Sequence, residues 1–223
     1  MDVPTSIPVM TLPQAILFPG ALLPLFIYEK EYRSMLRDAL HSHRMIGVAL
    51  RKAGSSRRIP HKVAGLGLIR AAVTRQDGTT MLFLFGMARV QLLKVTKSKP
   101  YRIYEVLPLR PQPRNEEVST LAEHVRKLVQ MRLKQGIKVP PSELKKIFPI
   151  QTDDEAAAFT AGSIQSFIEY IDKVNDPGQL ADIVSCTLLH EAEHRQTILS
   201  TVDIKPRLEQ VILMLQQEIA SQT

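Results

Sequence analysis

The chain has 223 residues, 44% of them hydrophobic, and carries a formal net charge of +7. That composition supports a sizeable core in one large domain or two small ones, and no run of about 18 uncharged apolar residues exists to form a membrane-crossing helix. No basic-then-apolar secretory signal opens the chain, and the single cysteine, Cys186, excludes an internal disulfide. A reducing, cytoplasmic home is therefore expected.

The first half reads as strands and turns. Ile7 to Leu12 and Ala21 to Ile27 are short apolar runs punctuated by prolines and Gly20. Between Glu29 and His41, Tyr32, Met35, Leu36, Ala39 and Leu40 recur at helical spacing. Met45 to Leu50 has the character of a buried strand. Leu66 to Thr74, Asp77-Gly78 and Thr80 to Phe85 form the clearest hairpin, because Asp-Gly supplies the positive φ that a primed turn requires. Ala88 to Val95 and Arg102 to Leu109 complete a set of six or seven short strands with one helix, which suits a small closed or nearly closed barrel.

The prolines at 108, 111 and 113 exclude regular structure and place a boundary near residue 112. Beyond it the period is helical. Val118, Leu121, Ala122, Val125, Leu128 and Val129 form one stripe, and Pro140 to Phe148 suits a short helix. Ile164, Phe167, Ile168 and Ile171 form another stripe. Asp176-Pro177 is an N-cap followed by proline at the first helical position, with Leu180, Ile183, Val184 and Leu188 facing inward. The last helix follows Asp203 and buries Leu208, Val211, Ile212, Leu215 and Ile219. Leu213 and Met214 extend its apolar surface beyond one packed face, so either the helical lobe buries both sets or these two are association residues, for a homodimer or a partner protein.

Two ends of the chain share a pattern with a known family. Pro8-Val9-Met10-Thr11-Leu12-Pro13, Leu17-Phe18-Pro19-Gly20 and Leu23-Pro24-Leu25-Phe26 stand near the start. Asp176-Pro177-Gly178-Gln179-Leu180-Ala181-Asp182 and Ile204-Lys205-Pro206-Arg207-Leu208-Glu209 stand near the finish. From about Ile7 to Ile219 the chain resembles the N-terminal substrate-binding domain of Lon-type ATP-dependent proteases. The resemblance implies an α+β fold, with a small β-barrel-like (PUA-like) lobe at residues 1–112 followed by an α-helical bundle lobe at 113–223. It also implies binding of unfolded or tagged polypeptides, or of a protease partner, with no cofactor, no metal and no catalysis. The ATPase and Ser-Lys peptidase modules of a full Lon protease are not expected here. For a binding surface, Phe18, Phe26, Tyr28, Glu29 and Arg33 are the candidates, with core packing as the competing role for the aromatics and plain solvation for the two charges.

Two rival functions have sequence footholds. His190-Glu191-Ala192-Glu193-His194 satisfies H-E-x-x-H, the zinc-hydrolase spacing in which the glutamate acts as general base. Charged Glu193 and Arg195 flank His194, however, and Thr197 and Ser200 stand where the extended pattern needs glycine and histidine. An exposed helix start fits better. Nucleic acid would be drawn to two basic stretches, Arg51, Lys52, Arg57, Arg58 and Lys62, then Lys94, Lys97, Lys99 and Arg102, although only Tyr101 and Tyr104 could stack on bases. Ser142-Glu143-Leu144-Lys145 matches S-x-x-K but reads as a helix N-cap. Gly65-Leu66-Gly67 is too short for a phosphate loop.

Overall fold

The computed structural model describes residues 3–54, 58–111, 116–134 and 163–220. It divides into two compact units, Met1–Arg110 and Pro111–Thr223. Among the described residues, six strands and one helix build the first unit, and five helices the second. The S-x-x-K match and the short helix expected at Pro140 to Phe148 lie outside the described residues.

The strands are β1 (Ser6–Leu12), β2 (Leu22–Ile27), β3 (Met45–Leu50), β4 (Val63–Thr74), β5 (Thr80–Lys97) and β6 (Ile103–Leu109), with helix α1 (Lys30–Leu40) between β2 and β3. They form one sheet in the order β2-β5-β4-β3-β1-β6, and β6 also pairs with β5. The pairing therefore makes a circuit through β5, β4, β3, β1 and β6, with β2 attached to the outside of β5. β1 and β3 run parallel; every other pairing is antiparallel.

Strand β3 is buried at every position, and its alternation feeds two cores. Met45 and Ala49 join Ile7, Val9, Ala64, Leu66, Val90, Leu92, Tyr104 and Val106, a cluster drawn from all five strands of the circuit. Ile46 and Val48 join Met10, Leu23, Ile27, Ile69, Leu82 and Leu84 beneath α1, which contributes Tyr32, Met35, Leu36 and Ala39. Those four recur at i, i+3, i+4 and i+7, which is why this segment is helical and which face it buries.

A turn forms at Asp77-Gly78, but not the primed turn expected there: among its residues only Gly78 is left-handed, and the Gly78 N–H donates to the Arg75 carbonyl at 3.0 Å. Gly78 has φ +79, and Asp77 Oδ1 accepts from the Thr79 N–H at 2.9 Å. Two further sequence expectations are corrected. Pro108, expected to exclude regular structure, lies inside β6 opposite Val90. Thr80 to Phe85 and Ala88 to Val95 are a single 18-residue strand, not two. Gly86 does not break it. A side chain there would meet the Phe18 carbonyl oxygen at 1.9 Å, and at Gly65 the Leu17 carbonyl oxygen at the same distance. The glycines thus let the Leu17-Phe18 segment lie against the backbones of β5 and β4.

In the second unit the helices are α2 (Glu116–Lys134), α3 (Ser163–Lys173), α4 (Pro177–Leu188), α5 (Ala192–Ser200) and α6 (Ile204–Ala220). Asp176 Oδ1 accepts from the Gln179 N–H at 2.8 Å, with Pro177 in the first turn, so the N-cap forms as read. Apart from Gln179, all of α4 is buried. Its Ser185 and Thr187 hydroxyls donate to the Ala181 and Ile183 carbonyls, both at 2.7 Å, which satisfies them inside the core. Asp182 and Arg207 are also buried and pair at 3.3 Å. On α6 the association pair separates. Met214 is 8% exposed and belongs to the core with Leu208, Val211, Ile212 and Leu215, while Leu213 is 54% exposed. Met214 is therefore corrected to a packing residue, since the helix turns it to the buried side.

Candidate functional site

Paired residues in neighbouring strands send their side chains to the same side of a sheet. Three such rows cross β2, β5 and β4: Leu22, Phe85 and Leu68; Pro24, Phe83 and Ala71; Phe26, Met81 and Val73. The alternate residues Leu23, Ile27, Leu82 and Leu84 fill one core, so eight of these nine form the outer side, while Leu68 packs partly against the second cluster. All nine are apolar. Phe26 is 44% and Val73 60% exposed; Pro24 and Ala71 are also exposed, and the other five are half-buried. Arg70 is the extra residue at a β-bulge in β4. Its guanidinium lies 5.1 Å from the centre of the Phe85 ring, and that of Arg75 lies 5.3 Å from Phe26. The result is an outer apolar face with a cation over an aromatic ring at each end.

The sequence candidates distribute unevenly around this face. Phe26 lies on it, and Tyr28, 63% exposed, continues from it with ring centres 6.4 Å apart. Phe18 is 1% exposed; its proposed role at a surface is corrected to core packing, because the flanking Leu17 and Phe18 carbonyls are pressed against glycines of the sheet. Arg33 is exposed on α1, with its guanidinium beside Gly78 at the hairpin tip.

Glu29 belongs to a second feature, a cleft of about 830 Å³ whose lining includes Thr11, Glu31, Tyr32, Arg58, Lys99 and Arg102. Arg58 takes φ +50 and donates to Glu29 at 2.8 Å and to Glu31 at 2.7 Å. Tyr32 bridges to Thr11, its hydroxyl accepting from the Thr11 N–H and donating to the Thr11 carbonyl at 3.3 and 3.2 Å. Tyr101 donates to Asp38 at 2.7 Å; burial, then this bond to a carboxylate, pushes its phenol up to about 12. Among the described residues of the cleft, Glu29 and Glu31 hold Arg58 by ordinary ion pairing.

The H-E-x-x-H residues are not on successive turns of one helix. Helix α4 stops at Leu188, Glu191 is extended at φ −76 and ψ 129, and α5 begins at Ala192. His190 Nδ1 lies 3.3 Å from Glu218, which also pairs with the buried Arg132. His194 Nε2 lies 3.5 Å from Glu191. The would-be general base thus faces one of the would-be ligands. Among the described residues, no group of three or more His, Cys, Asp or Glu is placed to hold a metal ion, and no helix is long and apolar enough to cross a membrane.

Sequence reasoning missed Val73, Met81, Phe83, Phe85, Arg70 and Arg75. The available signal was Met81-Leu82-Phe83-Leu84-Phe85, where apolar residues occupy both faces of a strand that has a solvent side.

This fold and its residues can now be placed. The model of the ATP-dependent protease La (LON) substrate-binding domain matches residues 6–217. The chain belongs to that family. Among relatives, it is 24% identical to a Lon protease of Dictyoglomus thermophilum, covering 98% of this chain and 25% of that protein. It is 27% identical to a Lon protease of Roseiflexus castenholzii, covering 97% and 25%. The chain thus spans about a quarter of the length of these relatives. Among solved structures, the N-terminal domain of a Mycobacterium avium complex Lon protease superposes with a TM-score of 0.70 at 19% identity, covering 95% of this chain and 98% of that one. A Lon N-terminal domain protein from Xanthomonas campestris gives 0.62 at 19% identity, with 94% and 98% covered.

Proposed function

We propose that this domain binds exposed apolar segments of unfolded or tagged polypeptides through the outer face of β2, β5 and β4, and that it does no chemistry of its own. The single observation that carries the reading is the apolar character of that face, with Phe26 44% and Val73 60% exposed. Burying one phenylalanine-sized side chain contributes about 1.5–3 kcal/mol, so a few such contacts suffice for a client that must later be released. The excess of positive charge would speed encounter with acidic segments. Membership of the Lon substrate-binding family supports delivery of the client to a protease. We read the circuit of strand pairing as a small PUA-like barrel that holds the face rigid, and the helical unit as a bundle. The buried Cys186 thiol suits action in the cytoplasm.

Binding of a permanently unfolded protein, reduced and carboxymethylated α-lactalbumin, tests this. Phe26→Ser and Val73→Ser should each weaken it about tenfold or more, leave the melting temperature within a few degrees, and remain only modestly salt-dependent. Unchanged affinity in both variants would remove the face from the function. Oligonucleotide binding that falls roughly a thousandfold between low and physiological salt, with no competition by the unfolded protein, would replace the reading with nucleic-acid recognition.

A further inference from the structure

Among the described residues, strand β2 pairs with a strand on one side only. In the sheet it stands last, beside β5, and among the described residues no turn or loop backbone bond reaches Leu22 to Ile27. Which of its amides face the open side follows from Pro24. In an antiparallel ladder, directly opposed pairs alternate between exchanging both bonds and exchanging none. Pro24 sits opposite Phe83 and has no N–H to exchange, so that pair is of the second kind. Leu22 opposite Phe85 and Phe26 opposite Met81 share its parity. The bonds of Gly86 at the bulge, accepting from the Gly20 N–H at 2.9 Å and donating to the Ala21 carbonyl at 2.8 Å, set the same phase.

The open edge therefore presents two donors, the Leu22 and Phe26 amides, and three acceptors, the carbonyls of Leu22, Pro24 and Phe26. The side chains of these same three residues belong to the outer apolar face. A chain that paired with this edge would set alternate side chains beside Leu22, Pro24 and Phe26, extending each row by one residue. Such geometry selects an extended polypeptide, because only a peptide backbone matches donors and acceptors at strand spacing. Arg70 and Arg75, over Phe85 and Phe26, favour carboxylates flanking the apolar stretch. Pro24 omits one donor from the middle of the edge. That omission weakens the added strand enough for release and discourages edge-to-edge pairing of two copies.

We propose that the client is captured as an added β-strand on the free edge of β2, as an extended segment with alternating apolar residues and acidic flanks. This rests on the reading that the outer face binds polypeptide. The test uses the full chain and a fluorescein-labelled synthetic peptide, Asp-Thr-Val-Thr-Val-Thr-Val-Thr-Asp, with two N-methylated versions. One carries methyl groups on the valine amides and the other on the threonine amides. With the valines on the apolar face, the valine amides point at β2 if the added strand is antiparallel, and the threonine amides if it is parallel.

One methylated peptide should bind at least tenfold more weakly and the other within about threefold of the parent. Pro24→Val, which restores the missing donor, should tighten the unmethylated peptide about three- to tenfold. If both methylated peptides weaken equally while Phe26→Ser still abolishes binding, the face binds clients without strand pairing; the edge proposal is then wrong and the proposed function stands. If neither the peptide nor carboxymethylated α-lactalbumin binds, both fall. If Pro24→Val produces a concentration-dependent dimer with no gain for the peptide, the edge receives a second copy and the proposal is overturned.

Discussion

Replacing Gly86 by alanine places a methyl group 1.9 Å from the Phe18 carbonyl oxygen and 2.8 Å from its carbon. Real contacts of this kind do not close below about 3 Å, so strand and segment must part by roughly 1 Å. The obstacle is backbone on both sides, and the segment is tied down: the Gly20 amide donates to Gly86 and the Gly86 amide to Ala21. It also carries Leu17 and Phe18, 0% and 1% exposed. Removing such side chains outright costs about 2–5 kcal/mol each, and overpacking alone about 1–3. Partial expulsion of both should cost about 3–5 kcal/mol. Gly47→Ala is the comparison, because its tight contacts would be side-chain ends, Ile7 Cδ1 and Val9 Cγ2 at 3.0 Å, with the Pro8 carbonyl oxygen at an ordinary 3.6 Å; about 1 kcal/mol is expected. Urea unfolding followed by tyrosine fluorescence measures both. The chain has no tryptophan, and four of its five tyrosines (28, 32, 101 and 104) lie in the first unit. A Gly86→Ala protein within about 1 kcal/mol of the parent, or no weaker than Gly47→Ala, would refute the argument.

In the second unit, Arg207→Met should cost about 3–5 kcal/mol by leaving the buried Asp182 carboxylate without its guanidinium, and the double variant Arg207→Met/Asp182→Leu should recover most of that loss in the same urea experiment. Tyr101 holds its proton more tightly folded than unfolded, so its contribution to stability is complete below pH 10 and fades as pH rises towards about 12; absorbance titration at 295 nm should show Asp38→Asn lowering its midpoint. Met214→Glu should destabilise the helical unit by several kcal/mol, as a charge forced into a core, whereas Leu213→Glu should leave the melt unchanged and disperse any oligomer seen by light scattering. Residues 1–111 alone should fold cooperatively, with the circular dichroism of a β-rich protein, if the division at Arg110 is a true boundary.

Local signals carried most of the secondary structure. The Asp77-Gly78 turn, the α1 stripe and the Asp176-Pro177 cap each depend on residues within a few positions of one another, and each formed where the sequence placed it. Gly86 shows where that stops. A glycine inside an apolar run suits a break or a close approach equally well, and only the distant Phe18 carbonyl decides between them. Phe18 itself resembled an exposed loop aromatic because prolines and a glycine surround it. The candidate face was visible only at Phe26 and Tyr28, since its rows join β2 to residues of β5 that lie 55 to 63 positions further along, an alignment that depends on register. His190 likewise meets Arg132 and Glu218 from 58 and 28 positions away, which no local motif could foretell.

The circuit of strand pairing also dictates an order of events during folding. Ser6, Ile7 and Pro8 in β1 find their partners in β6, at Glu105, Tyr104 and Ile103, so the first strand must wait for nearly a hundred further residues before one of its sides is covered. The same late strand closes onto β5. Contacts this far apart in sequence make for slow closure. Until it happens Ile7, Val9, Val90 and Leu92 line an open trough. A domain proposed to hold exposed apolar chains would then, while being synthesised, be one itself, and a lesion in β6 such as Val106→Asp should raise aggregation of the nascent chain well before it alters the outer face of β2, β5 and β4.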